Sequence, residues 1–226
     1  RILLRDLLTT AIKNGLELSL NNSLIKIEED GNQKNVITDK GTYKADNVVL
    51  CSGKHISDYI DSNVKTSYAP IAVVEGVNET AESFVELDYF PKNCINLITK
   101  EDGIGLIGGI SLNRKEKCDE YLDLVIRKHK ILNPSLKVID KYIGEKHEIT
   151  LPNEDRNYLY HINTDPEKKN MWSIIPGKFT LGFSLAPEFY RRVYLKNPRK
   201  YFKSYKDNGE YSDFVANTVW YDALIN

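Results

Sequence analysis

The chain has 226 residues, 41% of them hydrophobic and 28% charged, with a formal net charge of −1. This length allows one large domain or two modest ones with a proper core, and the composition is that of a globular protein. The near-zero net charge gives no reason to expect nucleic acid or an anionic membrane as a partner, and no apolar run approaches the roughly 20 residues that span a bilayer.

Cysteine and histidine spacing gives no indication of a disulfide framework or a metal site. The cysteines form no CxxC pair and the histidines show no HExxH-type spacing. These residues are Cys51, Cys94, Cys118, His55, His129, His147 and His161. Widely spaced, unpaired cysteines are typical of a reducing compartment, and no secretory signal is present. We therefore predict a cytoplasmic protein without a bound metal ion.

The first 45 residues predict a helix, a strand and a meander of short strands. Apolar residues recur at helical spacing over residues 2–12, and Asn14-Gly15 is a typical helix stop. Residues 16–20 then alternate leucine with Glu or Ser, which predicts a half-buried strand. The turns at residues 30–32 and 39–41 separate the short strands of the meander.

The next segment, Val48-Val49-Leu50-Cys51, predicts a buried strand in a parallel sheet. Gly53 follows it, and glycine lets the backbone turn sharply and lets a ligand come close. Ligands of open α/β sheets lie at the carboxyl ends of the strands, so Cys51, Ser52 and Gly53 are candidate ligand contacts. The alternative is a core strand followed by an ordinary turn glycine.

Residues 38–53 carry a family resemblance. Their pattern, Thr-x-x-Gly-x-x-x-Ala-Asp-x-Val-Val-x-Cys-x-Gly, resembles FAD-dependent oxidoreductases of the D-amino-acid oxidase and glycerol-3-phosphate dehydrogenase type, which we call DAO-like. The family has Ala where Cys51 stands, and its helix followed by Gly-apolar-x-apolar is matched by Gly15-Leu16-Glu17-Leu18. The resemblance implies that backbone around Leu24 meets the adenine end of FAD, and that Cys51, Ser52 and Gly53 bind the cofactor.

The middle of the chain resembles the family's substrate domain. Residues 68–74 resemble the strand that leaves the FAD domain, residues 94–109 predict a hairpin, and residues 121–129 an amphipathic helix. Gly108-Gly109 marks either a bulge or backbone that faces a ligand. His129, at helical spacing, is predicted to be a surface or interface residue and not a catalyst.

A further strand is predicted over residues 138–149, and residues 144–147 fall where relatives often carry Gly-x-Arg. The resemblance implies an arginine near this point that holds a substrate carboxylate with its bidentate guanidinium. This chain offers Lys146 and Arg156 instead, which become candidate substrate-binding residues. Lysine can bind a phosphate or a carboxylate as a point charge, so both substrate classes stay open.

Near the end of the chain, residues 171–175 predict a strand that passes through Pro176-Gly177 into a helix. Such a junction presents free backbone N–H groups and the positive end of the helix dipole. The order Gly-Lys-x-Thr resembles the family's last FAD motif, which implies that Gly177, Lys178 and Thr180 contact the cofactor. An ordinary strand-to-helix turn is the alternative. The tail from Asn197 predicts a partly helical cover.

The dinucleotide fingerprint GxGxxG is the part of this family that the sequence does not supply. Residues 103–108 fit its letters, but they lie in a hairpin pattern with no helix after it, so we assign them a structural role. The family places this fingerprint more than a hundred residues ahead of the matching segment. We therefore expect the chain to be a fragment that covers the latter part of the family.

These observations predict an α/β (α+β) fold. It consists of an incomplete FAD/NAD(P)-binding, Rossmann-like domain and an inserted antiparallel β-sheet substrate domain. The FAD part is predicted over residues 1–68 and 150–226, and the substrate part over residues 69–149. The predicted strands that end before Gly53 and Gly177 should lie in one sheet.

The predicted function is that of the C-terminal portion of an FAD-dependent oxidoreductase acting on a small amine- or hydroxyl-bearing substrate. His55, just past Gly53, is the candidate catalytic residue. Two alternatives are a cofactor-free relative that acts as a small-molecule binding or interaction module, and an unrelated α+β domain. Without the fingerprint we expect the chain alone to bind FAD poorly or not at all and to have no oxidoreductase activity, and exposed sheet edges favour a homo-oligomer.

Overall fold

The computed structural model describes residues 1–60, 63–78, 80–86, 94–150, 159–165, 167–199 and 203–225. Its helices and strands in chain order are α1 (Ile2–Lys13), β1 (Leu24–Asp30), β2 (Gln33–Thr38), β3 (Gly41–Ala45), β4 (Val48–Leu50), β5 (Val64–Glu75), β6 (Phe84–Glu86), β7 (Ile95–Thr99), β8 (Gly105–Gly108), α2 (Cys118–Leu132), β9 (Lys137–Ile149), β10 (His161–Thr164), β11 (Met171–Ile175), α3 (Gly182–Tyr194) and α4 (Val219–Ile225). Short 3₁₀ helices cover Gly53–Asp58, Lys115–Lys117, Phe179–Leu181 and Ser212–Phe214.

The chain divides into two compact units. The first is formed by residues 1–65 and 147–216, and the second by residues 66–146 and 217–226. The sequence predicts the last ten residues to belong with the first unit, whereas in the structure they belong to the second. The assignment of these units to cofactor and substrate stays a prediction.

The first unit begins with α1, which ends where the sequence predicted. Gly15 follows it with a φ of +100°, a conformation that glycine adopts without steric cost. The strand predicted over residues 16–20 is wrong, because these residues form no strand and their three leucines are exposed. A strand needs a neighbour to accept its backbone hydrogen bonds, and the described part of the chain places none beside this segment.

The predicted meander is confirmed. The strands β1, β2 and β3 form an antiparallel sheet in that order. Gly31, in the β1–β2 turn, has a φ of +62°, so the turn uses the one residue type that takes this conformation freely. This sheet places Glu29 directly opposite Lys34 in the β1–β2 ladder.

A second sheet in the first unit has the order β10-β11-β4. The central strand β11 is antiparallel to β10 and parallel to β4, with Met171 opposite Val48 and Ser173 opposite Leu50. The predicted strands before Gly53 and Gly177 therefore lie in one sheet and are parallel neighbours. The predicted burial of the first is only partly right. Val48 and Leu50 are buried in one core cluster, but Val49, whose side chain points to the opposite face of the strand, is exposed.

Both faces of β11 are covered, which explains its nearly continuous apolar sequence. Met171 and Ile175 join a core cluster with Leu50 of β4 and Ile56 of the following 3₁₀ helix. Ile174, on the opposite face, packs with residues of β10 and α3. Trp172 meets Phe189 of α3 edge-to-face at a ring-centroid distance of 5.6 Å, and its indole N–H donates to the side-chain oxygen of Asn47 at 3.2 Å.

The second unit is built on a five-stranded sheet with the order β6-β7-β8-β5-β9. The predicted hairpin is confirmed, since β7 and β8 pair in an antiparallel register around a turn at Gly103. The helix α2 packs Leu122 and Ile126 onto one face of the sheet. Trp220 of α4 packs against residues of β5 and β8 that form a separate cluster. The last ten residues, which include α4, are therefore part of the second unit.

The run at residues 103–108 lies in this hairpin, as predicted. Gly103 has a φ of +70° in the turn. A Cβ on Gly105 would lie 2.8 Å from the Val77 side chain, so this glycine makes room for packing inside the unit. A dinucleotide site needs such glycines at the start of a helix, and among the described residues no helix follows β8 directly.

His129 is not a surface residue as predicted, because its side chain is 3% exposed on α2. Its ring lies 5.8 Å from that of Phe84, and its Nε2 atom has no hydrogen-bond partner among the described residues. Burial lowers the pKa of the His129 imidazole below its usual value of 6.5. Helical spacing alone does not say which face of a helix is covered.

Mild acid is expected to destabilise the protein through His129. The folded state resists protonation of this ring, so below pH 6.5 the unfolded state binds more protons than the folded state. Stability should be complete above that pH and fall as the pH drops, by at most about 1.4 kcal/mol per pH unit. Urea unfolding at pH about 7.5 and about 5.5 measures this. His129→Asn should reduce the pH difference, and an unchanged difference would contradict the assignment.

Candidate functional site

The carboxyl ends of β4 and β11 meet at one edge of the first unit's mixed sheet. Because these strands are parallel neighbours, Ser52-Gly53 and Pro176-Gly177 follow them on the same side. Gly53 has a φ of +60° and Gly177 a φ of +67°. One 3₁₀ helix begins at Gly53, and another begins at Phe179, two residues after Gly177. The structure thus brings the two predicted strand–glycine–helix junctions together, although they are more than 100 residues apart in the sequence.

At the first junction, His147 packs against Gly53. A Cβ on Gly53 would lie 2.9 Å from the Cδ2 atom of the His147 ring, so any other residue would displace that ring. Sequence reasoning did not single out His147 as a site residue. No local signal could have found it, because the contact joins the turn after β4 to the end of β9.

The side chains of Cys51 and Ser52 are exposed at this edge. Desolvation raises the pKa of the Cys51 thiol above its usual value of 9.0, so the thiol stays protonated at neutral pH. A thiol, unlike a thiolate, is a poor nucleophile and a poor metal ligand. Cys51 therefore offers its backbone and a neutral side chain to a neighbouring group.

Leu24 is connected to the same junction by a hydrogen bond. The hydroxyl of Tyr59, which follows the 3₁₀ helix after Gly53, donates to the Leu24 carbonyl oxygen at 3.0 Å. Leu24 also packs against the core cluster that contains Val48 and Leu50. The start of β1 is thereby held next to β4.

At the second junction, Lys178 N–H donates to the Pro176 carbonyl at 2.6 Å, and the chain enters α3 through Phe179–Leu181. No side chain caps the start of α3, and a Cβ on Gly182 would meet nothing within 4 Å. The N–H groups of Leu181 and Gly182 donate to the Lys178 and Phe179 carbonyls in the 3₁₀ turn, so α3 offers a ligand mainly the positive end of its dipole. Lys178 and Thr180 are exposed beside it.

His55 lies on the 3₁₀ helix after Gly53 and is exposed. Its Nδ1 atom is within hydrogen-bond distance, 3.0 Å, of the Asp58 carboxylate, and both side chains are more than 60% exposed. The carboxylate can fix the tautomer and orientation of the ring. The catalytic role of His55 stays a prediction.

The structure does not test the two predicted substrate-binding residues. Lys146 is half-buried in β9 and belongs to the second unit. Arg156 lies outside the described residues. Their role also stays a prediction.

The described residues contain neither a metal-binding cluster nor a membrane-spanning helix. No group of three or more His, Cys, Asp or Glu side chains among them could hold a metal ion. No helix in the same part of the chain is long and apolar enough to cross a membrane.

Neither a family model nor a curated protein matches the sequence. Solved structures do match. NikD, described as an unusual amino acid oxidase essential for nikkomycin biosynthesis, matches with a TM-score of 0.65 at 15% identity over 86% of this chain and 56% of its own. Glycine oxidase from Bacillus cereus ATCC 14579 matches with 0.62 at 12% identity over 84% and 54%. L-alpha-glycerophosphate oxidase from Mycoplasma pneumoniae, solved with FAD bound, matches with 0.65 at 15% identity over 89% and 56%.

Over the matched 84–89% of its length, the chain has the fold of DAO-like FAD-dependent oxidases, as the sequence resemblance predicted. It spans little more than half the length of the structures that it matches. At these identities the likeness establishes the fold alone.

Proposed function

We propose that this chain forms part of an FAD-dependent oxidoreductase that oxidises a small amine- or hydroxyl-bearing substrate. In this proposal residues 1–68 and 150–226 contribute to FAD binding, and residues 69–149 form the substrate side. The observation that carries it is the parallel pairing of β4 with β11, which puts two glycine junctions at one sheet edge. The shared fold of oxidases, one of them with FAD bound, supports the choice of cofactor.

The residues at this edge fit such a cofactor. FAD, when bound, supplies the oxidising chemistry by accepting a hydride from a C–H bond next to the amine or hydroxyl. The chain's own contribution is to bind and orient. The start of α3, with Gly177, Lys178 and Thr180 before it, offers a positive dipole end and the Lys178 cation to an electron-rich oxygen.

The other predicted contacts complete the proposal. Backbone at Cys51, Ser52 and Gly53 would line the cofactor at the end of β4, and backbone near Leu24 would lie at its adenine end. His55 is proposed as a polar group near the reacting atoms. Lys146 and Arg156 are proposed to bind a carboxylate or phosphate of the substrate as positive charges.

The test is a titration of FAD into the ¹⁵N-labelled chain, followed by NMR. We expect saturable shifts at the amides of residues 51–53 and 177–182, with a dissociation constant far weaker than micromolar. Binding should be weak because the sequence carries no glycine loop for the pyrophosphate. Losing several charge-assisted hydrogen bonds of about 1.5–3 kcal/mol each lowers affinity by orders of magnitude. Saturable shifts at other residues alone would refute the proposed site, and micromolar or tighter binding would contradict the expected loss of affinity.

A second candidate function is a cofactor-free binding or interaction module. One observation favours it: the GxGxxG-like run of this sequence lies in the β7–β8 hairpin, where it cannot hold a pyrophosphate. The same titration separates the two functions. FAD-dependent NMR shifts at both glycine junctions favour the oxidoreductase. An NMR spectrum that FAD does not change favours the module.

A further inference from the structure

Lys34 is buried, although lysine is among the residues most rarely found in a protein interior. Its side chain is 1% exposed. Its ammonium group forms an ion pair with the carboxylate of Glu29, which lies directly opposite it in the β1–β2 ladder. Glu29 is itself 57% exposed, so the cation of this pair is buried while the anion is largely in solvent.

One acceptor leaves the Lys34 ammonium incompletely bonded. A lysine ammonium carries three N–H donors, and Glu29 is the one acceptor within hydrogen-bond distance of it in the described part of the chain. A buried charged donor without partners is costly. The geometry therefore favours further acceptors at this atom.

A polar cleft of about 190 Å³ lies next to Lys34. The turn after β1 and the segment before β11 form its walls, joined by a 3.3 Å hydrogen bond from the Asn170 side-chain amide to the Asn32 carbonyl. The charged lining residues are Glu29, Lys34, Glu167 and Lys169. The cleft has room for several water molecules or for a small organic ion.

The cleft is separate from the candidate cofactor site. Asn170 directly precedes Met171, and its carbonyl accepts a 2.9 Å hydrogen bond from Val48 N–H. These residues are at the amino ends of β11 and β4, whereas Gly53 and Gly177 follow the carboxyl ends. The two sites therefore lie at opposite edges of the same sheet.

We propose that this cleft binds the carboxylate group of a small molecule, which replaces the exposed Glu29 carboxylate on the Lys34 ammonium, with Lys169 as a second cation. Glu29 already places one carboxylate oxygen on the Lys34 ammonium, which shows the chemistry that this position accepts. The two carboxylates of the wall, Glu29 and Glu167, disfavour a dianion such as phosphate. The site thus suits a monovalent carboxylate.

The test is an NMR titration of the full chain with sodium acetate, with sodium chloride added to keep ionic strength constant. We expect saturable shifts at the amides of Gly31, Asn32 and Asn170. Lys34→Gln should weaken acetate binding about tenfold or more, because it removes the charged donor. The matched control is Lys26→Gln, which removes an exposed lysine of β1 that pairs with Glu28 at 2.6 Å and should leave binding unchanged.

Two further variants test the proposal even if Lys34→Gln fails to fold. Glu29→Gln should strengthen acetate binding, because it removes a competing carboxylate, and Lys169→Gln should weaken it. Shifts that do not saturate, or that are the same in these variants as in the native chain, would overturn the proposal. Tighter binding of inorganic phosphate than of acetate would also overturn it.

Discussion

Gly109→Ala is expected to lower the free energy of unfolding by about 3 kcal/mol. The added Cβ would lie 2.0 Å from the Tyr121 hydroxyl and 2.4 Å from the Cys94 carbonyl oxygen. That hydroxyl donates to the Cys94 carbonyl at 2.9 Å and accepts from Ile110 N–H at 3.0 Å, so displacing it breaks two hydrogen bonds. Denaturant unfolding of the native and variant chains measures the loss.

Two control variants separate the causes of this loss. Tyr121→Phe removes the same two hydrogen bonds without adding an atom, and should cost about 1–2 kcal/mol. Gly182→Ala adds a Cβ to the first residue of α3, where nothing lies within 4 Å, and should be neutral or stabilise slightly. If Gly109→Ala costs no more than Tyr121→Phe, the close approach does not constrain the chain.

Gly53→Ala is expected to destabilise the first unit by about 2–3 kcal/mol. The alanine would have to keep a φ of +60°, and its Cβ would lie 2.9 Å from the His147 ring. Displacing this ring would also change the edge at which the cofactor is proposed to bind. We therefore expect the FAD-dependent NMR shifts of residues 51–53 to be lost together with the stability.

Gly31 provides a matched control for the backbone conformation. Its φ is +62°, but a Cβ there would meet nothing within 4 Å, so Gly31→Ala should cost only about 1 kcal/mol. The excess loss in Gly53→Ala then measures the contact with His147. Adding His147→Ala to Gly53→Ala should remove that excess in a double-mutant cycle. Equal losses for the two glycines would show that the ring moves without cost.

Gly108-Gly109 shows how far sequence reasoning reaches at a single pair of residues. The sequence left two uses open, a bulge or backbone that faces a ligand. The structure shows that Gly109 leaves the space in which the Tyr121 hydroxyl meets Cys94. Tyr121 lies on α2, beyond the hairpin, so no pattern within residues 94–109 could reveal this partner.

Local signals did determine most of the elements. Turn residues determine where the meander reverses, and helical periodicity predicts α1, α2 and α3, although Ile2, Leu3 and Leu4 of α1 are exposed. The apolar runs at β4 and β11, each followed by a glycine, predicted the two halves of the candidate cofactor site. These signals are strong because they depend on the backbone conformation of turns and on the spacing of apolar residues. Both are determined by residues close together in the sequence.

Only the tertiary structure decided which segments come together. Residues 16–20 have a strand pattern but form no strand, since pairing needs a neighbour that the pattern does not supply. His129 and Lys34 are polar by sequence yet buried, because residues distant in the chain cover them. His147 reaches Gly53 from 94 positions away. Burial and contact depend on the packing of whole elements, so residue type and local spacing do not determine them.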